Sequence, residues 1–465
     1  MISSRAVLVV FALAAMSLTA CETVEGLLPE RKVKTTIQGE RVPVMALEDT
    51  LHPDAQLADS PVQLPPPYAN TEWPQPGGYA DNVMHHLEAA GPLNVVWTQG
   101  AGKGSDDDSR LSGPPIVADG KVYVLDAASR VTAFDAKTGQ AIWTTTLSAN
   151  EGESNFWSDV TMGAAGHDTT VSPEKGQGGG VAYEDGKVYV TSGFGFVKAL
   201  DAKTGKELWK ANLSVPIIDA PVVNGGRIFA ITQENHLYVL AAADGRQLWD
   251  HQGIVESAGI MSGTSPAVAG EFVITPYSSG ELFALRVENG RVAWSDTLTR
   301  TGTTTPLTAI NDIAGRPVID RGLVFAVSHS GRMVAIDVRT GERAWTNNIA
   351  GVQTPWVAGD FVYVVSIDAQ LVCLTRKEGR VKWLTQLPRW EYPDDKSGPI
   401  YWAGPVLVSD RLVLISSDGL AMSVSPYTGQ IMGQVSIPDG AFITPVVANG
   451  IVYILTNGAE LVALK

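Results

Sequence analysis

Few residues in this 465-residue chain have the type and spacing that chemistry needs. Its seven histidines are His52, His85, His86, His167, His236, His251 and His329. None stands at metal-ligand spacing from another His, Cys or Glu. The dipeptide His85-His86 precedes the repeats described below and reads as solvent-exposed. Asp106-Asp107-Asp108 invites a Ca²⁺ reading, but it lacks the alternating ligand pattern of a calcium loop and reads as a solvated turn. Gly178-Gly179-Gly180 lacks the Lys-Ser/Thr of a phosphate loop, and no G-x-S-x-G or H-E-x-x-H occurs. Cys373 lies in an apolar run, Leu371 to Leu374, where a small buried hydrophobe is expected. These observations assign no catalytic residue, metal or cofactor.

Cys21 is different. Arg5 opens a positive segment, and AVLVVFALAA (6–15) is an apolar run of leader length, too short to span a bilayer. Leu18-Thr19-Ala20-Cys21 then resembles the bacterial lipobox, in which the leader is cut before a cysteine that carries lipid. Several acyl chains on one cysteine give durable attachment. Glu22 is not the Asp that retains enterobacterial lipoproteins in the inner membrane, so the outer membrane, periplasmic face, is expected. The net charge is −15, and loss of residues 1–20 removes only Arg5 among charged groups, leaving the remainder still more acidic. That excludes the basic footprint of a nucleic-acid binder.

The elements that would position any site come from a repeat. Eight segments share a short apolar strand, a polar turn and two further strands, beginning at Pro115, Val181, Pro221, Pro266, Pro317, Pro355, Pro405 and Pro445. From each of the first seven starts, a glycine follows at +24: Gly139, Gly205, Gly245, Gly290, Gly341, Gly379 and Gly429. At +28 stand Trp143, Trp209, Trp249, Trp294, Trp345 and Trp383, with Gly433 in the seventh unit. Four antiparallel strands per unit cannot bury both sheet faces alone, and radial stacking buries them against neighbours. The expected fold is all-β: an eight-bladed β-propeller with four-stranded antiparallel blades. The tryptophans are expected to pack blade on blade. The eighth unit ends before its fourth strand, so the N-terminal strand around Trp97 is expected to complete it. The expected organisation is a leader (1–20), a lipidated cysteine and flexible tether (21–72), a lead-in (73–92) and the propeller (93–465).

Length variation falls between the fourth strand of one unit and the first of the next, so these connectors share one face of the disc. Loops on a rigid scaffold carry recognition. The longest, from about Ser148 to Gly180, carries Phe156, Trp157 and His167. The connector at 384–404 carries Trp390, Tyr392, Tyr401 and Trp402, a set suited to a protein interface or a cell-wall polysaccharide.

The repeats DAKTGQAIW (135–143) and DAKTGKELW (201–209) resemble the tryptophan-docking repeat of pyrroloquinoline-quinone (PQQ) alcohol dehydrogenases, and WPQPGG (73–78) resembles their opening segment. The same repeat occurs in the BamB lipoprotein family of the outer-membrane β-barrel assembly machinery. Cys373 stands alone, where the dehydrogenases typically carry a vicinal disulfide, and no calcium-ligand motif is found. Both absences, and the chain's size, turn the resemblance toward the BamB family. It implies a scaffold without catalysis or cofactor, monomeric outside its complex, that binds the periplasmic POTRA region of BamA and assists barrel assembly. In that family two neighbouring connectors make the contact. The matching ones here carry Ile260 and Met261 before Pro266, and Asn311, Asp312 and Ile313 before Pro317. The family's arginine is missing from the first connector, and the second has one acid instead of two. The rival expectations are a PQQ-dependent periplasmic dehydrogenase and a cell-wall-binding lipoprotein.

Overall fold

A computed structural model describes residues 51–89, 91–107, 109–148, 178–256, 264–299 and 310–465. The residues from 51 onward form one compact unit. Eight four-stranded antiparallel sheets account for its main elements. Blade one runs Ile116–Ala118, Lys121–Leu125, Arg130–Asp135 and Ala141–Thr146, here strands A to D. Strands A to C are buried almost throughout, whereas D alternates toward solvent. A is therefore the inner strand and D the rim. Blade eight takes Val446–Ala448, Ile451–Leu455 and Glu460–Leu464 from the C-terminal end and Val95–Gly100 as its strand D. Trp97 pairs with Ala463 across that junction, as the missing fourth strand requires.

The invariant spacing has a physical cause. Each turn glycine has positive φ, for example 72° at Gly139 and 70° at Gly205, a region that costs glycine least. Asp135 Oδ1 accepts from the backbone N–H groups of Lys137 and Thr138 and from the Thr138 hydroxyl, which fixes the turn. The same glycine is where the preceding blade's indole lies. A Cβ on Gly205 would stand 2.5 Å from the Trp143 ring, and one on Gly139 2.7 Å from Trp97. Each of the six interior indoles then donates to a backbone carbonyl of the next blade: Trp143 to Ala202, Trp209 to Ala242, Trp249 to Val287, Trp294 to Val338, Trp345 to Arg376 and Trp383 to Pro426, at 2.8–3.2 Å.

A second ring reinforces the first. At +8 in each unit, on strand B, stand Tyr123, Tyr189, Phe229, Ile274, Phe325, Tyr363, Val413 and Tyr453. All four tyrosines donate to the next blade, Tyr123, Tyr189 and Tyr363 to the same carbonyls as the indoles of their own blades. At the closure Tyr453 donates to Ala136 O, and the Trp97 Nε1 has no partner among the described residues. Cys373 fills the small buried position opposite Trp383, where the other blades have Ala133, Ala199 or Ala335. Burial pushes its thiol well above the ordinary range.

The lead-in packs against the blades. Residues 70–87 make one circuit inside the ring and bond to all eight blades. Trp73 exchanges two backbone hydrogen bonds with Val117 of blade one. Pro74 O accepts from Tyr183 N of blade two, and Gln75 Oε1 from Val223 N of blade three. Ala80 O and Asp81 O accept from Val268 and Ile319 of blades four and five. His85 O takes the Trp356 indole N–H of blade six, Leu87 pairs with blade seven at Leu407 and Ser409, and Asn70 O accepts from Asn449 of blade eight. In blades one, two, four, five and seven the free inner edge of strand A is thus met by the chain's own backbone.

Residues 51–72, placed in the tether by sequence, are also packed on the ring. Arg380 holds Asp54 at 2.7 Å, Asp54 N donates to Val381 O, and Val62 is buried. His86 is buried rather than solvated. Its Nδ1 lies 2.7 Å from Pro65 O, and its Nε2 accepts from Asp410 N, so it fastens the lead-in to blade seven.

Candidate functional site

Departures from the repeat show where the ring is modified for something other than closing itself. At +32, just after strand D, five units carry a buried apolar anchor, Leu147, Leu298, Ile349, Leu387 and Ile437, and unit two a half-buried Leu213. In unit three that position is Gly253. At +11 the other units have a small polar residue, but unit four has Tyr277. The two changes are complementary, because a Cβ on Gly253 would stand 2.6 Å from the Tyr277 ring. Tyr277 is buried, donates to His251 O and lies 2.8 Å from His251 Nδ1. With the anchor site taken by a ring from the next blade, the following residues turn outward. Ile254 is 59% and Val255 58% exposed. Two adjacent branched aliphatic residues facing water on a connector are a candidate contact surface. The anchor glycine was the sequence signal for them, and the sequence reading did not use it.

Of the expected contact residues, Ile260 and Met261 lie outside the described residues, further along the same connector. In the second connector Asn311 is half-buried, whereas Asp312 is 3% exposed and Ile313 fully buried. Ile313 sits in a core cluster with Leu282 and Leu298, and Asp312 O accepts from His329 N. In this conformation Asp312 and Ile313 hold the connector down, and Asn311 alone of the three offers a side chain to a partner. Asp312 belongs to an interior charge group with Asp219 and Arg316. Burial raises the Asp219 carboxyl well above its usual range, the Asp312 charge adds to this, and burial lowers the Arg316 guanidinium to about 10.

The aromatic connector divides. Trp390–Tyr392 and Ser397–Pro399 form a two-stranded hairpin. Tyr392 and Tyr401 face water, whereas Trp402 is buried and donates to Pro388 O at 2.8 Å. Phe156, Trp157 and His167 lie outside the described residues. Among the described residues no three His, Cys, Asp or Glu side chains gather as metal ligands would.

This architecture defines an eight-bladed β-propeller of the tryptophan-docked type, plugged by its own lead-in, with its irregular surface on the connectors. Residues 68–166 and 162–385 match the family described as outer membrane protein assembly factor BamB, and the chain belongs to that family. The assembly factor BamB of Yersinia pestis is 27% identical over 358 residues, 76% of this chain and 84% of that protein. That of Moranella endobia is 25% identical over 369 residues, 78% of this chain and 88% of its own length. Among solved structures, BamB from Moraxella catarrhalis has a TM-score of 0.62 at 17% identity, covering 80% of this chain and 99% of that one. A quinohemoprotein alcohol dehydrogenase from Comamonas testosteroni reaches 0.61 at 14% identity, covering 85% and 80%. These last two likenesses concern the fold.

Proposed function

We propose that this protein is a non-catalytic scaffold of the outer-membrane β-barrel assembly machinery, fastened to the periplasmic face of the outer membrane through lipid on Cys21. Its propeller binds the POTRA region of BamA and holds it in an orientation that favours insertion of barrel proteins. The observation that carries this reading is the match to assembly factors over most of the chain. The exposed Ile254-Val255 pair supports the location, because it leads directly into the connector that carries Ile260 and Met261. The contact surface is then Ile254, Val255, Ile260, Met261 and Asn311, with Asp312 and Ile313 setting the connector's path from below. A surface already held by a closed ring lowers the ordering cost of association.

The test is binding of purified chain to a purified POTRA fragment. Val255→Asp combined with Met261→Asp is expected to weaken binding at least tenfold while leaving the unfolding temperature within a degree or two of wild type. Unchanged affinity would move the contact to another face.

A further inference from the structure

The seventh blade lacks both rings of the repeat. At +28 it has Gly433 where the first six units have tryptophan, and at +8 it has Val413 where most units have Tyr or Phe. The loss follows from how the ring closes. An interior indole docks on the next blade's C–D turn, and blade eight has no such turn, because its strand C ends at Leu464 while its strand D starts at Val95. A cavity of about 280 Å³ remains there, walled by Val413, Ala421, Met432 and Gly433 of blade seven and by Leu93 and Leu464 of blade eight. That is smaller than the ~300–1,000 Å³ of a drug-sized site, so it suits a single ring system.

Gly433 is not demanded by the backbone. It is absent from the positive-φ residues, and a Cβ placed on it would meet nothing within 4 Å. Met432 is 61% exposed at the mouth, with Ile431 beside it. A methionine thioether packs favourably on aromatic rings. Arg411, whose guanidinium is held against the lead-in by Gly91 O, also lines the cavity and brings a cation beside a guest ring. Among the described residues strand D of this blade, Ile431–Ser436, pairs only with strand C, so its outer edge can take an added strand.

We propose that the cleft between blades seven and eight is a docking pocket for an aromatic side chain of a partner polypeptide, which lies extended along strand D of blade seven. The guest ring takes the place that an internal tryptophan occupies in the other blades. This site is separate from the connector surface proposed above and does not depend on it.

The experiment observes the Met432 ε-methyl resonance of the purified full chain, assigned by loss of the signal in Met432→Leu. N-acetyltryptophanamide at millimolar concentration is expected to shift it saturably. Acetyl-Ile-Trp-Ile-amide is expected to saturate at a concentration at least tenfold lower, and acetyl-Ile-Ala-Ile-amide to leave it unmoved. Gly433→Trp, and independently Val413→Phe, are expected to fill the cavity and abolish the response with the rest of the spectrum preserved. No saturable shift in wild type, or an equal shift in a folded Gly433→Trp protein, would overturn the pocket. Saturation of the peptide no earlier than the amide would overturn the polypeptide as its occupant. The experiment contains no assembly partner, so its failure leaves the connector proposal untouched.

Discussion

The Trp143 indole covers the turn glycine of the next blade, donates to Ala202 O of the same turn and packs tilted against Tyr123, with ring centroids 5.9 Å apart. Three variants separate these contributions in urea unfolding. Trp143→Phe keeps an aromatic ring and loses one hydrogen bond, a cost of about 1 kcal/mol. Gly186→Ala, at φ 76° with open space around it, reports backbone strain alone. Gly205→Ala adds the collision with Trp143 and is expected to exceed Gly186→Ala by about 1–3 kcal/mol. Equal losses for the two glycines would show that the indole yields freely. His251 supplies a pH test at the same scale. Burial lowers its pKa below the usual value, so the folded state disfavours the protonated ring. Its contribution to stability is complete above the unfolded value of about 6.5 and is lost as pH falls through the lower folded value. The unfolding temperature of wild type is therefore expected to fall more between pH 7 and pH 5 than that of His251→Asn. The indole–glycine ring was legible in the sequence because tryptophan is rare enough to be counted at fixed spacing and the turn's positive φ holds a glycine four residues before it. The ring at +8 was not, because Tyr, Phe, Ile and Val all occur there and the shared feature is burial rather than one residue type.

At the scale of elements, strand D of blade eight and the lead-in together close the disc. The strand was predictable, because a blade missing its fourth strand and an unpaired Trp97 imply one another. The circuit of residues 70–87 was not. It bonds mostly through backbone groups and a few amides, which leave no periodicity to read. Asn82 is a case in point, since its Nδ2 reaches Pro317 O at 2.8 Å and Pro266 O at 3.5 Å, joining blades four and five. Asn82→Ala leaves these buried carbonyls without that donor and is expected to cost about 1–3 kcal/mol. Between blades five and six the buried pair Arg376–Asp320, 2.8 Å apart, is strengthened by Arg376 donating to Asp320 O and Arg321 O. Arg376→Leu strands a buried carboxylate, with an expected loss of about 3–5 kcal/mol in chemical unfolding. A loss below 1 kcal/mol would mean that Arg321, 3.0 Å from Asp320, takes over. The buried positions of Asp312 and Ile313 belong to this scale too. Their place in a connector suggested exposure, but the core cluster around Leu298 draws Ile313 inward, and no local pattern announces that.

For the whole molecule, the ring spends its regular residues on closing itself and exposes its exceptions. Gly253 and Tyr277 free Ile254 and Val255, and Gly433 and Val413 leave a cleft. An assembly role needs such a body: stiff, acidic enough to stay soluble, and partner-binding at a few irregular places. The most direct measurement is affinity purification of the full-length protein from detergent-solubilised membranes, with mass spectrometry of its lipid and its companions. The account predicts acylated Cys21 and a barrel-forming, POTRA-bearing subunit in near-equal amount, lost in the Val255→Asp, Met261→Asp double variant. Recovery of a folded, acylated propeller without that subunit would contradict it.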